Sequence, residues 1–214
     1  MIDQFGGDDV VDDNTPAVSA ATGAFVEVFT PPPNVGADRS LYLKGGAACF
    51  YVYAPAYSEL CSTSASWNDG AWHHVAGTLG ASGQNHYVDG ALAGNVPGVT
   101  SSAFNWNTGF RAGYGYIGPD GPLVYLTGDL DEIRLWSVER TAGEIAAARA
   151  TPIDPMTAGL HGYWKLDAGP SSMIARDSTW HGYYGALIGF AMSRSPWITP
   201  GLSRSPVPRR TGLA

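Results

Sequence analysis

At 214 residues the chain has the length of one large domain, and its net charge of −7 with only two lysines, Lys44 and Lys165, leaves no basic stripe to neutralise a phosphate backbone. Nucleic acid is therefore excluded as an expected partner. A composition of 44% apolar and 14% charged residues, with 28 Gly, 15 Pro, 7 Trp, 11 Tyr and 7 Phe, favours strands joined by tight turns over helices.

In chain order, residues 1–22 come first and hold Asp3, Asp8, Asp9, Asp12 and Asp13 without a base. Their small-residue run lacks strand or helix periodicity, and they read as an acidic N-terminal arm. This acidic start is unlike a secretory signal, and no apolar run approaches the ~20 residues that span a bilayer, so neither a signal peptide nor membrane insertion is expected. Short apolar or alternating runs follow: 25–29, 40–43, 49–53, 72–78, 86–88, 114–117, 124–126, 132–136, 161–166 and 186–190. Between them lie Pro31-Pro32-Pro33, Asn68-Asp69-Gly70, Asp89-Gly90 and Asp120-Gly121, the turn chemistry of a many-stranded antiparallel sandwich.

Cys49 and Cys61 are too few for a disulfide framework; they either pair across a hairpin or remain two buried thiols. A single helix is predicted over 141–150, where Thr141 can cap and Glu144 completes a capping box. Residues 200–214 carry Arg204, Arg209 and Arg210 among prolines without an acid and read as a second, basic arm.

Two stretches carry a resemblance. WNDGAWHHVAGTLGASGQNHYVDGALAG at 67–94, followed by GDLDEIRLWSVERTAGEI at 128–145, resembles the laminin-G-like jelly-roll family, of the concanavalin A-like type. The resemblance implies an all-β antiparallel jelly-roll sandwich over 23–199 with one short helix, to which the terminal compositions add two extended arms. GLHGYWKLDAGPSSMIARDSTWHGYYGALIG at 159–189 is similar to the block that usually opens such a domain, yet here it comes last. Either the domain is permuted, with 159–199 closing its own sandwich, or the block is exchanged with a neighbouring copy. The short linker 151–158 favours closure at home.

The same resemblance frames the chemistry. Asp129 and Asp131 are expected to share a strand face, but Ile133 stands where the family's glycosidases place an acid, so no catalytic residue is assigned. His74 is expected at the core edge and His73 exposed; Trp72, Trp136, Trp164 and Tyr163 are assigned to the core. Members of the fold often hold a structural Ca²⁺, and Asp131 and Asp177 match its positions, although Asp131 could equally cap a turn and Asp177 organise an Asx-turn. Loop aromatics, among them Tyr114, Tyr116, Trp180, Tyr183 and Tyr184, sit beside small polar residues. Trp67, Asn68, Trp106 and Asn107 are singled out as glycan-binding candidates.

The resulting expectation is a non-catalytic module, structural and glycan-binding, in a larger assembly. The family's occurrence in phage minor tail and capsid-decoration proteins points to a virion, with a secreted or cell-surface carbohydrate-binding module as the alternative and a glycoside hydrolase as the weakest reading. The arms would dock on other copies or on neighbouring virion proteins. Ile2, Phe5, Val10 and Val11 would bury apolar area there while Arg204, Arg209 and Arg210 guide by charge.

Overall fold

The computed structural model describes residues 11–15, 22–30, 36–54, 56–64, 66–103, 109–118, 121–167 and 172–187. Its strands are β1 (Val11–Thr15), β2 (Gly23–Thr30), β3 (Gly36–Lys44), β4 (Ala47–Tyr53), β5 (Tyr57–Cys61), β6 (His73–Gly80), β7 (Gly83–Val88) and β8 (Ala91–Val96), then β9 (Gly109–Ala112), β10 (Tyr114–Tyr116), β11 (Leu123–Tyr125), β12 (Ile133–Trp136), β13 (Leu160–Trp164), β14 (Ile174–Ala175) and β15 (Gly185–Ala186). A six-stranded sheet in the order β13-β12-β1-β6-β7-β8 packs on a five-stranded sheet in the order β5-β4-β3-β2-β9, and the strand pairings among the described residues are antiparallel.

Period-2 alternation explains the layers. Val75 and Leu79 of β6, Leu41 and Leu43 of β3, and Phe50 and Val52 of β4 point into the space between the sheets and build the main core with Phe25, Val88, Ile133 and Leu135. Gly77 is the small member of that row: a Cβ there would stand 2.7 Å from the Phe50 ring. The opposite faces are covered as well. Ala76, Tyr87, Trp136 and Tyr163 pack with Ile145 of α1 (Ala142–Ala148), while Tyr42, Cys49 and Tyr51 lie beneath Ile117 and Val124. Two polar side chains tie the sheets across the core: His86 Nε2 reaches Ala48 O at 3.0 Å, and Gln84 donates to Phe50 O at 3.0 Å.

Local chemistry matches the expected punctuation. Thr141 and Glu144 form the capping box reciprocally. Asp89 and Gly90 take φ of 51° and 78°, the left-handed pair that a tight hairpin requires. Cys49 and Cys61, register partners on β4 and β5, form a disulfide, which settles the open cysteine question in favour of pairing.

Two expectations are corrected. The acidic segment is not an arm throughout, because 11–15 is an interior strand: Asp12 pairs with Arg134 of β12 on one side and Ala76 of β6 on the other. Periodicity missed it because VDDNT carries one apolar residue in five, so its strand state comes from two neighbours offering backbone partners rather than from its own pattern. Trp72 is not core; it precedes β6 and is 44% exposed. Ile2, Phe5, Val10, Arg204, Arg209 and Arg210 lie outside the described residues, and Val11 belongs to β1.

Candidate functional site

The C-terminal block closes on its own chain. β13 pairs with β12 at the edge of the six-stranded sheet, Ile133 opposite Trp164 and Arg134 opposite Tyr163. The segment that follows is pinned back onto β13 by the buried Asp177. One carboxylate oxygen accepts from the backbone N–H groups of Tyr163 (3.0 Å) and Thr179 (2.9 Å). The other accepts from the Thr179 hydroxyl (2.8 Å) and the Tyr183 N–H (3.0 Å). This is the Asx-type organiser of the Asp-Ser-Thr loop.

What Asp177 organises is a row of rings. Trp180 stacks on His181 at 4.0 Å and His181 on Tyr183 at 5.5 Å, while His161 of β13 sits 4.6 Å from His181. Trp180 is 74% and Tyr184 62% exposed, an unusual display for two large rings in one short loop. His161 is held below the usual histidine range, first by burial and then by neighbouring His181, with Asp177 acting against them. Beside the row lies a cleft of about 380 Å³ lined by Lys165, Leu166, Asp167, Arg176, Asp177, Ser178 and Tyr184. Leu166 on its wall takes φ of 56°, a strained conformation for a bulky side chain and one that clusters at binding sites.

The carboxylates singled out in the sequence stand otherwise than expected. Residues 129–132 precede β12 without being part of it, so Asp129 and Asp131 do not alternate along a strand; Ile133, where an acid would be needed, is 2% exposed in the core. Asp131 accepts from the Glu132 N–H at 3.0 Å, and its carboxyl is pushed up to about 7, first by burial and then by the charges of Glu132 and Asp167. Glu132, at φ 56°, is itself held by Arg134 (2.8 Å) and the Tyr163 hydroxyl. The calcium expectation at Asp131 and Asp177 does not fit these contacts, since both oxygens of Asp177 are already filled by donors. Among the described residues, no three His, Cys, Asp or Glu side chains are grouped to hold a metal.

Trp67 and Asn68 are half-buried. The Trp67 indole N–H donates to Ser62 Oγ at 2.8 Å and its ring meets His73 edge-on at 4.8 Å, which makes it a pillar of the loop more than an open platform. His73, expected to be exposed, is clamped between Asp89 (2.9 Å) and Asp69 (3.1 Å). Burial opposes its charge, but the two carboxylates together outweigh burial and raise its pKa. His74 is buried, as its core-edge placement implied. Trp106 and Asn107 lie outside the described residues. Nothing in the sequence marks Lys165 and Arg176 as lining this cleft; the signal for its neighbourhood was Trp180 followed by Tyr183 and Tyr184 between Gly182 and Gly185, with no alternation to bury them.

Residues 14–146 match the concanavalin A-like lectin/glucanases superfamily in its laminin G form, and the chain belongs to that superfamily. No curated protein matches the sequence. Among solved structures, the chain is similar to a "putative carbohydrate binding protein" from Bacteroides ovatus, with 18% identity and a TM-score of 0.62 over 87% of this chain and 55% of that one. It is also similar to the native heptameric SAP-like pentraxin of Limulus polyphemus, with 15% identity and a TM-score of 0.50 over 67% of this chain and 70% of the other. The chain thus spans little more than half of the Bacteroides ovatus protein, and at these identities the likeness is one of fold.

Proposed function

We infer that this domain is a carbohydrate-binding module that holds sugar on its C-terminal block without cleaving it. The observation carrying this reading is the pair of exposed rings, Trp180 and Tyr184, displayed beside a polar cleft by a loop that buried Asp177 holds in shape. Sugar rings stack their C–H faces on such aromatics while hydroxyls bond to Ser178 and the charged walls. Trp180→Ala and Tyr184→Ala should each abolish retention on a polysaccharide affinity gel while the melting temperature stays put, because both rings face water. Unchanged retention in both variants would point to the other patch, where Trp72→Ala tests the exposed ring beside Trp67 and Asn68. Turnover is not expected, since core residue Ile133 stands in place of an acid; new reducing ends appearing on prolonged incubation would refute a purely binding role.

The finer reading is a structural subunit of a phage particle whose partners are other copies, neighbouring virion proteins and host-surface glycan. It is supported by the family's occurrence in such particles, as is the secreted or cell-surface alternative. The Cys49–Cys61 disulfide suits an oxidising exterior in either setting. Co-purification of the chain with intact particles, against its recovery from culture medium, decides between them.

A further inference from the structure

Four charged side chains line the cleft beside Tyr184, and they do not weigh equally. Asp177 is committed, its two oxygens taken by the donors of Tyr163, Thr179 and Tyr183 at 2.8–3.0 Å. Asp167 is exposed and contributes to the field that holds the Asp131 carboxyl up. The two cations are uncommitted: among the described residues neither the half-buried Lys165 nor the exposed Arg176 forms an ion pair. Lys165 Nζ stands 5.3 Å from the centroid of the Tyr163 ring, an aromatic contact and no counter-charge. In a chain with 12 Lys and Arg against 19 Asp and Glu, this cleft is formally balanced, two cations without ion pairs standing against the exposed Asp167 and the hydrogen-bonded Asp177.

We propose that the cleft takes an anionic sugar, with Arg176 and Lys165 receiving a carboxylate or sulfate group on a ring stacked against Tyr184. The planar guanidinium of Arg176 can meet either anion through two parallel N–H bonds, and Lys165 adds a point charge from the facing segment, each one residue beyond the antiparallel Trp164–Asp177 bridge. A neutral sugar would gain the stacking and leave both cations facing water. The chain's net charge of −7 would turn a polyanion away, so attraction is confined to the neighbourhood of these two groups, within about 8 Å at physiological salt. The proposal rests on the carbohydrate-binding reading and adds the charge of the ligand to it.

The test compares three soluble polymers by titration calorimetry on the full chain: dextran, polygalacturonate and dextran sulfate. Binding of at least one polyanion about tenfold or more tighter than dextran is expected, from one charge-assisted contact, and it should weaken steeply with added salt. Lys165→Gln and Arg176→Gln should each erase that preference without touching what Trp180→Ala removes. Arg176→Lys should keep part of it, which separates charge from packing. Polygalacturonate alone identifies the carboxylate as the ligand group, and dextran sulfate alone the sulfate. Equal binding of dextran and both polyanions, or a preference unchanged in both Gln variants, overturns the anionic ligand while leaving a carbohydrate module standing. Binding to none of the three removes both.

Discussion

Replacing Asp12 by proline separates an interior strand from a loose acidic arm. The backbone of Asp12 lies between Arg134 of β12 and Ala76 of β6, so β1 is flanked on both sides and is the link joining the pair β12–β13 to the rest of the six-stranded sheet. Proline has no N–H, which forfeits one ladder hydrogen bond worth about 1 kcal/mol and strands a partner carbonyl at a further 1–3 kcal/mol. Its ring also has no room in a central strand. The sum is about 2 to 4 kcal/mol, or a fall in melting temperature of roughly 5 to 15 °C for a domain of this size. Asp12→Ala removes the same carboxylate and keeps the N–H, so the difference between the two variants isolates the backbone. Thermal unfolding followed by circular dichroism measures both. If the proline and alanine variants melt together, residues 11–15 are an arm after all and the sheet does not need them.

Three further outcomes follow from the interior and the C-terminal block. His86 is fully buried and its pKa is lowered to about 4, by burial against the opposing carbonyls of Ala48 and Ala76. The unfolded chain therefore binds the extra proton first, and stability present above about pH 6.5 falls as pH drops, levelling below about 4. Between pH 7 and 4.5 this amounts to about 2 to 3 kcal/mol that His86→Gln should not show, and parallel urea-unfolding curves for the two proteins would remove His86 from the account. Reducing Cys49–Cys61, which closes a sequence separation of 12, should cost about 3 kcal/mol of unfolded-state entropy and roughly 6 to 12 °C; an unmoved transition in reductant refutes this. EDTA and added Ca²⁺ should leave the melting temperature unchanged, since Asp177 has no oxygen free; a rise of several degrees with Ca²⁺ would restore a cation at Asp131 and Asp177.

The sandwich itself was legible in the residues. Alternation in Val75-Ala76-Gly77-Thr78-Leu79, the Asp89-Gly90 turn and the Thr141–Glu144 capping box are local signals, and local signals survive in any tertiary context that does not oppose them. Absent from the sequence was anything set by what lies opposite. VDDNT has no strand pattern, and only the facing backbones of β6 and β12 make it one. Trp67 reads as an open loop ring and Trp72 as core, but the Ser62 hydroxyl and the His73 ring hold the first while the second is left exposed. For Asp177 the resemblance implies a metal ligand and local chemistry a loop organiser, and the four donor hydrogen bonds from Tyr163, Thr179 and Tyr183 are those of the organiser. The sequence by itself determines which residues can be strand, turn or cap, because those choices are made within a few residues. Which polar group finds a partner, and which ring is left for a ligand, is decided by chain segments far apart in sequence, and only the tertiary structure brings them together.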